Sequence, residues 1–324
     1  MKIGILGAGH IAEKTAPTMA ALKEVECYAV ASRSLEKAER FARNLGFRKA
    51  YGSYEEMLLD PQVELVYIAT PHSHHYEHMM LCISYGKPVL CEKAFTLNAA
   101  QARAVAEAAK KQGVFVAEAI WTRYMPSREL INRVIASGII GKPNTLTANL
   151  SYSMAGKERI YTPELGGGTL LDIGVYGINF ALMHFGWDIE RVDSSVRMMD
   201  TGVDGMETVT IHYRDGRMAV LTHSCFAQSD RKGMIHGDKG YLVIENINNP
   251  QSVAAYDPGD NLLAYYPVPQ QISGYEYEFI ACAEALRDGK READAMPLEE
   301  TIHVMEFMDA LRSQWNMVYP QEKE

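Results

Sequence analysis

The chain opens on Met1-Lys2-Ile3-Gly4-Ile5-Leu6-Gly7-Ala8-Gly9-His10-Ile11-Ala12, and the reading of that stretch decides the fold. Met1 to Leu6 reads as a short apolar strand, and a helical pattern runs on from the glycines through Leu22. A G-x-G-x-x-A turn between a strand and a helix is the context a dinucleotide fingerprint needs. Gly7 permits the tight turn, Gly9 lets the backbone approach a pyrophosphate, and Ala12 is small enough for helix to pack on strand. The free N–H groups at the helix start, around His10 and Ile11, then face the phosphate charge. The plain alternative is a glycine-rich βα turn that binds nothing.

Working outward, strand and helix patterns alternate to about Glu118, the arrangement of an α/β doubly wound parallel sheet of the Rossmann kind. Val25 to Ala31 is the second strand. At its end an acidic residue would hold the ribose 2′-hydroxyl of NAD. This chain has Ser32-Arg33-Ser34 instead, a hydroxyl and a fixed cation that suit a 2′-phosphate, so NADP is favoured over NAD. The alternative for Arg33 is a solvated helix-start residue. Leu35 to Leu45 reads as a helix ending near Gly46, and Ser53 with Glu56 as a capping box. The buried strand Leu65–Ala69 delivers Thr70 and Pro71 to the ligand side of the sheet. Lys87 to Cys91 is the next strand and delivers Glu92 and Lys93 at its carboxyl end, where a lysine can face a nicotinamide and a substrate oxygen. Asn98 caps the helix Ala99–Lys111.

Length and composition bound the rest. At 324 residues the chain is comfortable for two domains. A net charge of -9 and a pI near 5.6 point away from nucleic acid and anionic membranes. No apolar run approaches membrane-spanning length, and the start lacks a signal-peptide plan. Cys27, Cys82, Cys91, Cys225 and Cys282 are scattered, as expected of reduced core thiols in a cytoplasm. His72, His74, His75 and His78 invite a metal reading, since His74 and His78 share a helix face. No carboxylate or cysteine stands at a ligand spacing among them, so no metal is expected.

By this point the chain resembles the Gfo/Idh/MocA oxidoreductase family. The matching pieces are Gly7 to Ala12, Thr70-Pro71 with His75, Gly86 to Ala94, and Gly166-Gly167-Gly168 leading to Asp172. Ala94 stands where the family usually has proline. Glu118 to Pro126 and Met296 to Thr301 resemble the branch of dimeric dihydrodiol dehydrogenase and NADP-dependent xylose dehydrogenase. The resemblance implies that Gly7, Gly9, His10, Ile11, Ala12, Ser32, Arg33, Thr70, Pro71, His75, Glu92, Lys93, Trp121 and Arg123 serve the cofactor. Trp121 and Arg123 follow the last strand of the first domain, and interdomain packing explains them equally well.

The first domain is expected over 1–119 and a substrate-binding and oligomerisation domain over 120–324, its last helix packing back on the first. Ser127 starts an amphipathic helix, and alternating runs at 144–154, 192–198, 207–213, 217–226 and 240–245 predict an α+β domain with a large, open, mostly antiparallel sheet. The resemblance implies a homodimer or homotetramer formed through that sheet; the alternative is a monomer with a polar outer face.

A helix is predicted from Thr169 to about His184, with Asp172 and Tyr176 on one face. The family often has histidine where Tyr176 stands; the dihydrodiol dehydrogenase branch uses tyrosine. Oxidising an alcohol needs a proton acceptor and a cation beside the developing charge. Tyr176 is the expected acid/base. Free tyrosine titrates near ~10, and an ammonium lowers that value, so Lys93 would assist it and hold the substrate oxygen. Asp172 would orient Lys93 or bind a second hydroxyl. The bland alternatives are a core aromatic, a helix-start carboxylate and a surface lysine. The function expected is hydride transfer between NADP and a hydroxyl-bearing carbon of a sugar, cyclic polyol or vicinal diol. The competing class is a dinucleotide- and sugar-binding regulator without turnover. A variant of the enzyme reading keeps its cofactor bound and shuttles hydride between two sugars.

Overall fold

The computed structural model describes residues 1–322. The first run of elements is β1 (Lys2–Leu6), α1 (His10–Ala21), β2 (Glu26–Ala31), α2 (Leu35–Leu45), β3 (Lys49–Tyr51), α3 (Tyr54–Leu59), β4 (Leu65–Ile68), α4 (His72–Ser84), β5 (Val89–Glu92), α5 (Ala99–Gln112) and β6 (Val116–Ala119). Then come α6 (Pro126–Ala136), β7 (Pro143–Ser151), α7 (Glu158–Tyr161), a π-helical turn (Leu170–Gly174) and α8 (Val175–Phe185). Seven strands follow: β8 (Ile189–Met198), β9 (Asp204–Tyr213), β10 (Met218–Ser224), β11 (Gly233–Gly237), β12 (Tyr241–Ile244), β13 (Ser252–Tyr256) and β14 (Leu262–Pro267). The chain closes with α9 (Glu276–Arg287) and α10 (Leu298–Gln314). These elements form two compact units, one of residues 1–124 with 271–306, the other of 125–270 with 307 onward.

In the first unit six parallel strands stand in the order β3-β2-β1-β4-β5-β6. This is the Rossmann order, whose reversal between β1 and β4 opens a crevice at the carboxyl ends. Strands β4, β5 and β6 are buried along their whole length, as strands covered on both faces must be. The caps form where the sequence places them. Ser53 Oγ accepts from the Glu56 N–H at 3.1 Å and Asn98 Oδ1 from the Gln101 N–H at 2.9 Å. Helices α2 and α5 end on left-handed Gly46 and Gly113. The segment 271–306, expected with the second domain, packs with the first. Its α9 buries Glu278, Phe279 and Cys282, and Phe279 meets Tyr67 of β4 edge-on at 5.4 Å.

The second unit is built on eight strands in the order β14-β13-β12-β11-β7-β10-β9-β8. Only β7 and β10 run parallel; the other neighbours are antiparallel. α8 lies against β7 and β10, and α6 packs on α8. The buried residues of β9 and β10 alternate with half-exposed ones, as a one-sided sheet requires. Strands β3, β11, β13 and β14 had no expectation in the sequence; each is short and takes its definition from a neighbour. The helix expected from Ser127 starts at Pro126, the first-turn position proline favours. The helix expected over 169–184 is instead a π-helical turn that passes into α8.

One stretch corrects the expectation about apolar runs. Pro163–Phe185 has the length and hydropathy of a membrane span, with a mean hydropathy of 1.2 in its most apolar window. That window is 89% buried within the protein, which its packing on the sheet explains.

Replacing Asn98 with alanine removes the α5 cap. Asn98→Ala is expected to lower the unfolding free energy of the first unit by about 1 kcal/mol, read as a reduced denaturant midpoint by circular dichroism. An unchanged midpoint would show that the cap contributes nothing.

Candidate active site

In the first unit the carboxyl ends of the strands gather the expected cofactor residues. Gly7 has φ +104°, its N–H donates to Ala31 O at 3.0 Å, and an added Cβ would lie 2.8 Å from Thr70 Cγ2. The turn therefore needs glycine for protein reasons alone. Gly9 differs: an added Cβ there meets nothing closer than Ala69 O at 3.6 Å. Whatever requires glycine at position 9 approaches from outside the chain. Gly9 is also the N-cap of α1 and offers no side-chain cap. The N–H groups at His10, Ile11 and Ala12 are thus presented as a bare helix start suited to a phosphate. These residues fit a dinucleotide.

At the end of β2, Ser32 is buried and Arg33 exposed. The Arg33 guanidinium is near enough to Tyr54 and His78 to act on both electrostatically. At the end of β4, Pro71 caps α4, and Thr70 Oγ1 lies 3.0 Å from His78 Nδ1. His75 is fully buried, with Nδ1 2.8 Å from Ala94 O and Nε2 2.8 Å from Thr70 O. Two carbonyls invite a doubly protonated ring, but burial pushes its pKa down to about 4, against those two hydrogen bonds. The neutral ring carries one N–H and serves one carbonyl at a time. His75 is thus a clamp between the loops after β4 and β5. His74 stacks on His78, and among the described residues no three His, Cys, Asp or Glu side chains gather as a metal site.

Glu92 ends β5 and accepts a hydrogen bond from Tyr67. Half-buried Lys93 follows, and the Lys93–Ala94 peptide is cis. Lys14, on α1, lies close by. Burial lowers its pKa, with Glu92 opposing and the Lys93 ammonium adding to the fall. Its Nζ donates to Tyr275 at 3.0 Å, and the Tyr275 ring stacks on Trp121 with centroids 4.2 Å apart. Arg123 is buried and pairs with Glu300 at 2.8 Å. Trp121 and Arg123 are therefore engaged by the 271–306 segment inside the first unit.

In the second unit the glycine run precedes the π-helical turn. An added Cβ on Gly167 would lie 2.7 to 2.9 Å from three carbonyl oxygens, those of Ile160, Arg159 and Thr162. That close approach seats α7 against the turn and brings Arg159 onto Asp172. The guanidinium binds the carboxylate bidentately, Nη1 to Oδ1 at 2.7 Å and Nη2 to Oδ2 at 3.0 Å. Asp172 is buried, and Tyr176, also buried, follows on the first turn of α8. Tyr161 ends α7, while Phe226 is exposed under the Arg197 guanidinium at 4.5 Å.

Comparison with known proteins bears on these sites. Residues 1–119 match the oxidoreductase family with an NAD-binding Rossmann fold, and residues 129–243 match the GFO/IDH/MocA C-terminal domain. The chain belongs to the Gfo/Idh/MocA family. It is 33% identical to trans-1,2-dihydrobenzene-1,2-diol dehydrogenase of Mus musculus, over 100% of this chain and 99% of that protein. It is 34% identical to D-xylose 1-dehydrogenase (NADP(+)) of Hypocrea jecorina, over 99% of this chain and 93% of that one. Among solved structures it is similar to a 3-ketoreductase from Actinomadura kijaniata in complex with NADP, with a TM-score of 0.89, 25% identity and 97% of each chain covered. As a Gfo/Idh/MocA protein the chain is an NAD(P)-dependent oxidoreductase.

Several residues around these Gfo/Idh/MocA motifs escape a sequence reading. Lys14 sits in an ordinary helical pattern, and Arg159 in a stretch without periodicity. Glu278 does leave a signal, an acid directly before the apolar run Phe279-Ile280-Ala281-Cys282. It is fully buried, and burial together with nearby Glu92 raises its pKa well above the ordinary value.

The His75 clamp carries a pH signature. Its folded pKa, about 4, lies below the unfolded value near ~6.5, so the unfolded chain binds the extra proton first. Its contribution to stability is complete above pH ~6.5 and is lost as pH falls toward 4. His75→Gln is expected to flatten the fall of the unfolding midpoint between pH 7 and 5 relative to wild type; parallel profiles would rule out a neutral buried imidazole.

Proposed function

We propose that this protein is an NADP-dependent dehydrogenase or reductase acting on a CH–OH group of a sugar, cyclic polyol or vicinal diol. The observation that carries the proposal is Tyr176, buried on the helix turn after Asp172, with Asp172 held bidentately by Arg159. The Gly7–Ala12 turn and the bare start of α1 would hold the dinucleotide, whose nicotinamide would supply the hydride chemistry. The protein's own residues do the rest. Tyr176 takes the alcohol proton as its phenolate during oxidation, and the resulting phenol returns it during reduction. The Lys93 ammonium stabilises negative charge developing on the substrate oxygen. Asp172 retains acceptor capacity beyond its two Arg159 bonds and binds a neighbouring hydroxyl. That role suits a substrate with adjacent hydroxyls, and the diol and xylose dehydrogenases among the relatives support it.

Ser32, Arg33 and Ser34 support NADP over NAD, because no carboxylate stands there to repel a 2′-phosphate. The xylose dehydrogenase is named for NADP(+), and the 3-ketoreductase was solved with NADP. Exposed Met198, Met206, Met218, Leu262, Leu263 and Tyr265 on the eight-stranded sheet support a homodimer or homotetramer formed through it. The five buried thiols suit a reducing, cytoplasmic location.

Nicotinamide absorbance across a panel of sugars and diols tests the reading. Lys93→Met and Tyr176→Phe are each expected to lower kcat/KM by at least about a hundredfold with NADPH binding retained by Tyr176→Phe. Wild-type protein that binds NADPH and turns over nothing in the panel would favour the regulator instead. Arg33→Ala is expected to raise the KM for NADPH by about tenfold or more and to leave that for NADH nearly unchanged. An equal effect on both cofactors would remove the case for a 2′-phosphate site.

A further inference from the structure

Beneath the segment that carries Asp172 and Tyr176 lie three ionisable side chains with no role so far. Asp204 and Glu207 come from β9 and His223 from β10, and all three are buried. His223 and Glu207 are cross-strand partners, with Nδ1 3.0 Å from Oε1. Asp204 and Glu207 lie near enough for each carboxyl to act on the other. Burial pushes Glu207 up to about 8, and burial with the nearby Glu207 raises Asp204 well above the carboxylate range. Burial pushes His223 down to about 3, with Asp204 opposing. The His223–Glu207 contact is therefore a hydrogen bond to an uncharged imidazole and not an ion pair.

The upper side of this triad is specific. Asp204 Oδ2 accepts from the Leu170 N–H at 2.6 Å, and Thr169 Oγ1 donates to Gly205 O at 2.8 Å. Three glycines of the overlying segment each rest on one member. An added Cβ would collide with Asp204 Oδ1 from Gly168, with Glu207 Oε1 from Gly174, and with His223 Nε2 from Gly177. These glycines span the π-helical turn and the start of α8, with Asp172 and Tyr176 between them. Tyr319 holds the same segment from elsewhere in the unit, its hydroxyl donating to Gly167 O at 2.6 Å.

We propose that Asp204, Glu207 and His223 are positioning residues: a buried triad on which Gly168, Gly174 and Gly177 sit, fixing the rotation and height of the segment that carries Asp172 and Tyr176. Apolar side chains of similar volume would fill the space, but would let the π-helical turn slide or rewind. Directional hydrogen bonds allow one arrangement. The inference rests on Asp172 and Tyr176 being the reacting pair, so its test includes readouts that need no substrate.

Three measurements on the full-length protein decide it. In histidine 15N NMR of wild type, with the signal assigned by its loss in His223→Asn, the His223 ring is expected to stay neutral from pH 8 to pH 5. Titration near the ordinary value of ~6.5 overturns the triad. In the double variant Glu207→Leu/His223→Leu, amide exchange across 168–177 is expected to accelerate, while the thermal midpoint and NADPH affinity hold. Unchanged exchange overturns the positioning role. With a substrate found active, the same variant is expected to lose kcat by about tenfold to a hundredfold at a nearly constant KM; accelerated exchange with unchanged kcat overturns the link to catalysis. Should the double variant fail to fold, Asp204→Leu against Asp204→Asn replaces it: the amide oxygen still accepts from the Leu170 N–H, so Asn is expected to restore slow exchange, and equal exchange in the two overturns the proposal. Absence of turnover in wild type would count against the proposed function alone, since the NMR and exchange results stand without it.

Discussion

A backbone pressed against its neighbour with no room for a Cβ is the constraint on which both units depend. At Gly7 it lets the ends of β1 and β4 lie against each other across the reversal in strand order, where Thr70 and Ala69 crowd the turn. The helix start and the β4 loop consequently share one edge of the sheet. At Gly167 it lodges the chain among three carbonyl oxygens, and Arg159 reaches Asp172 as a result. A methyl at either place would push apart elements that bring functional side chains together. The chemistry of each unit is thus set by backbone packing before any side chain is chosen.

Buried ionisable groups are the second layer in both units. In the first unit burial lifts Glu118 to about 7, with Thr301 and Arg123 acting against the rise, and Arg123 itself pairs with Glu300. Truncating one member of such a set leaves its partner buried and unmet, which costs more than the pair contributes. The set therefore ties the loop after β6 to the start of α10 firmly and in one arrangement. Beside Lys93, Tyr67 donates a hydrogen bond to Glu92, and buried Glu278 lies near enough to act on both electrostatically. In the second unit the Asp204, Glu207 and His223 cluster lies under the Asp172 and Tyr176 segment in the same way.

Relatives of similar length are named for a diol, for xylose and for a 3-keto group, so one scaffold serves several substrates. The Rossmann unit has little freedom to differ, because its turn geometry answers to the cofactor. In the second unit the stretch before the glycine run folds into α7 and supplies Arg159. A cation gripping Asp172 from a surface segment is the kind of feature that can vary while the sheet beneath it stays the same.

What the sequence determined by itself is whatever a few neighbouring residues decide. The fingerprint turn, the Ser53 and Asn98 caps, the glycine stop of α2, and the alternating strands of the second sheet all follow from local backbone preference and period. Lys93, Asp172 and Tyr176 could be nominated as candidates because they adjoin such features. The tertiary structure alone decided that 271–306 returns to the first unit, since an amphipathic helix does not name the surface that buries it. It alone exposed the His75 clamp, the Arg159 grip and the Asp204, Glu207 and His223 cluster, whose members stand far apart in the chain or on different strands. It also turned the start of the helix expected from Thr169 into a π-helical turn. The reason is common to all of these. Local preference carries a few tenths to about 1 kcal/mol per residue. A buried polar group left without its distant partner costs about 1 to 3 kcal/mol, so the distant partner prevails over the local preference.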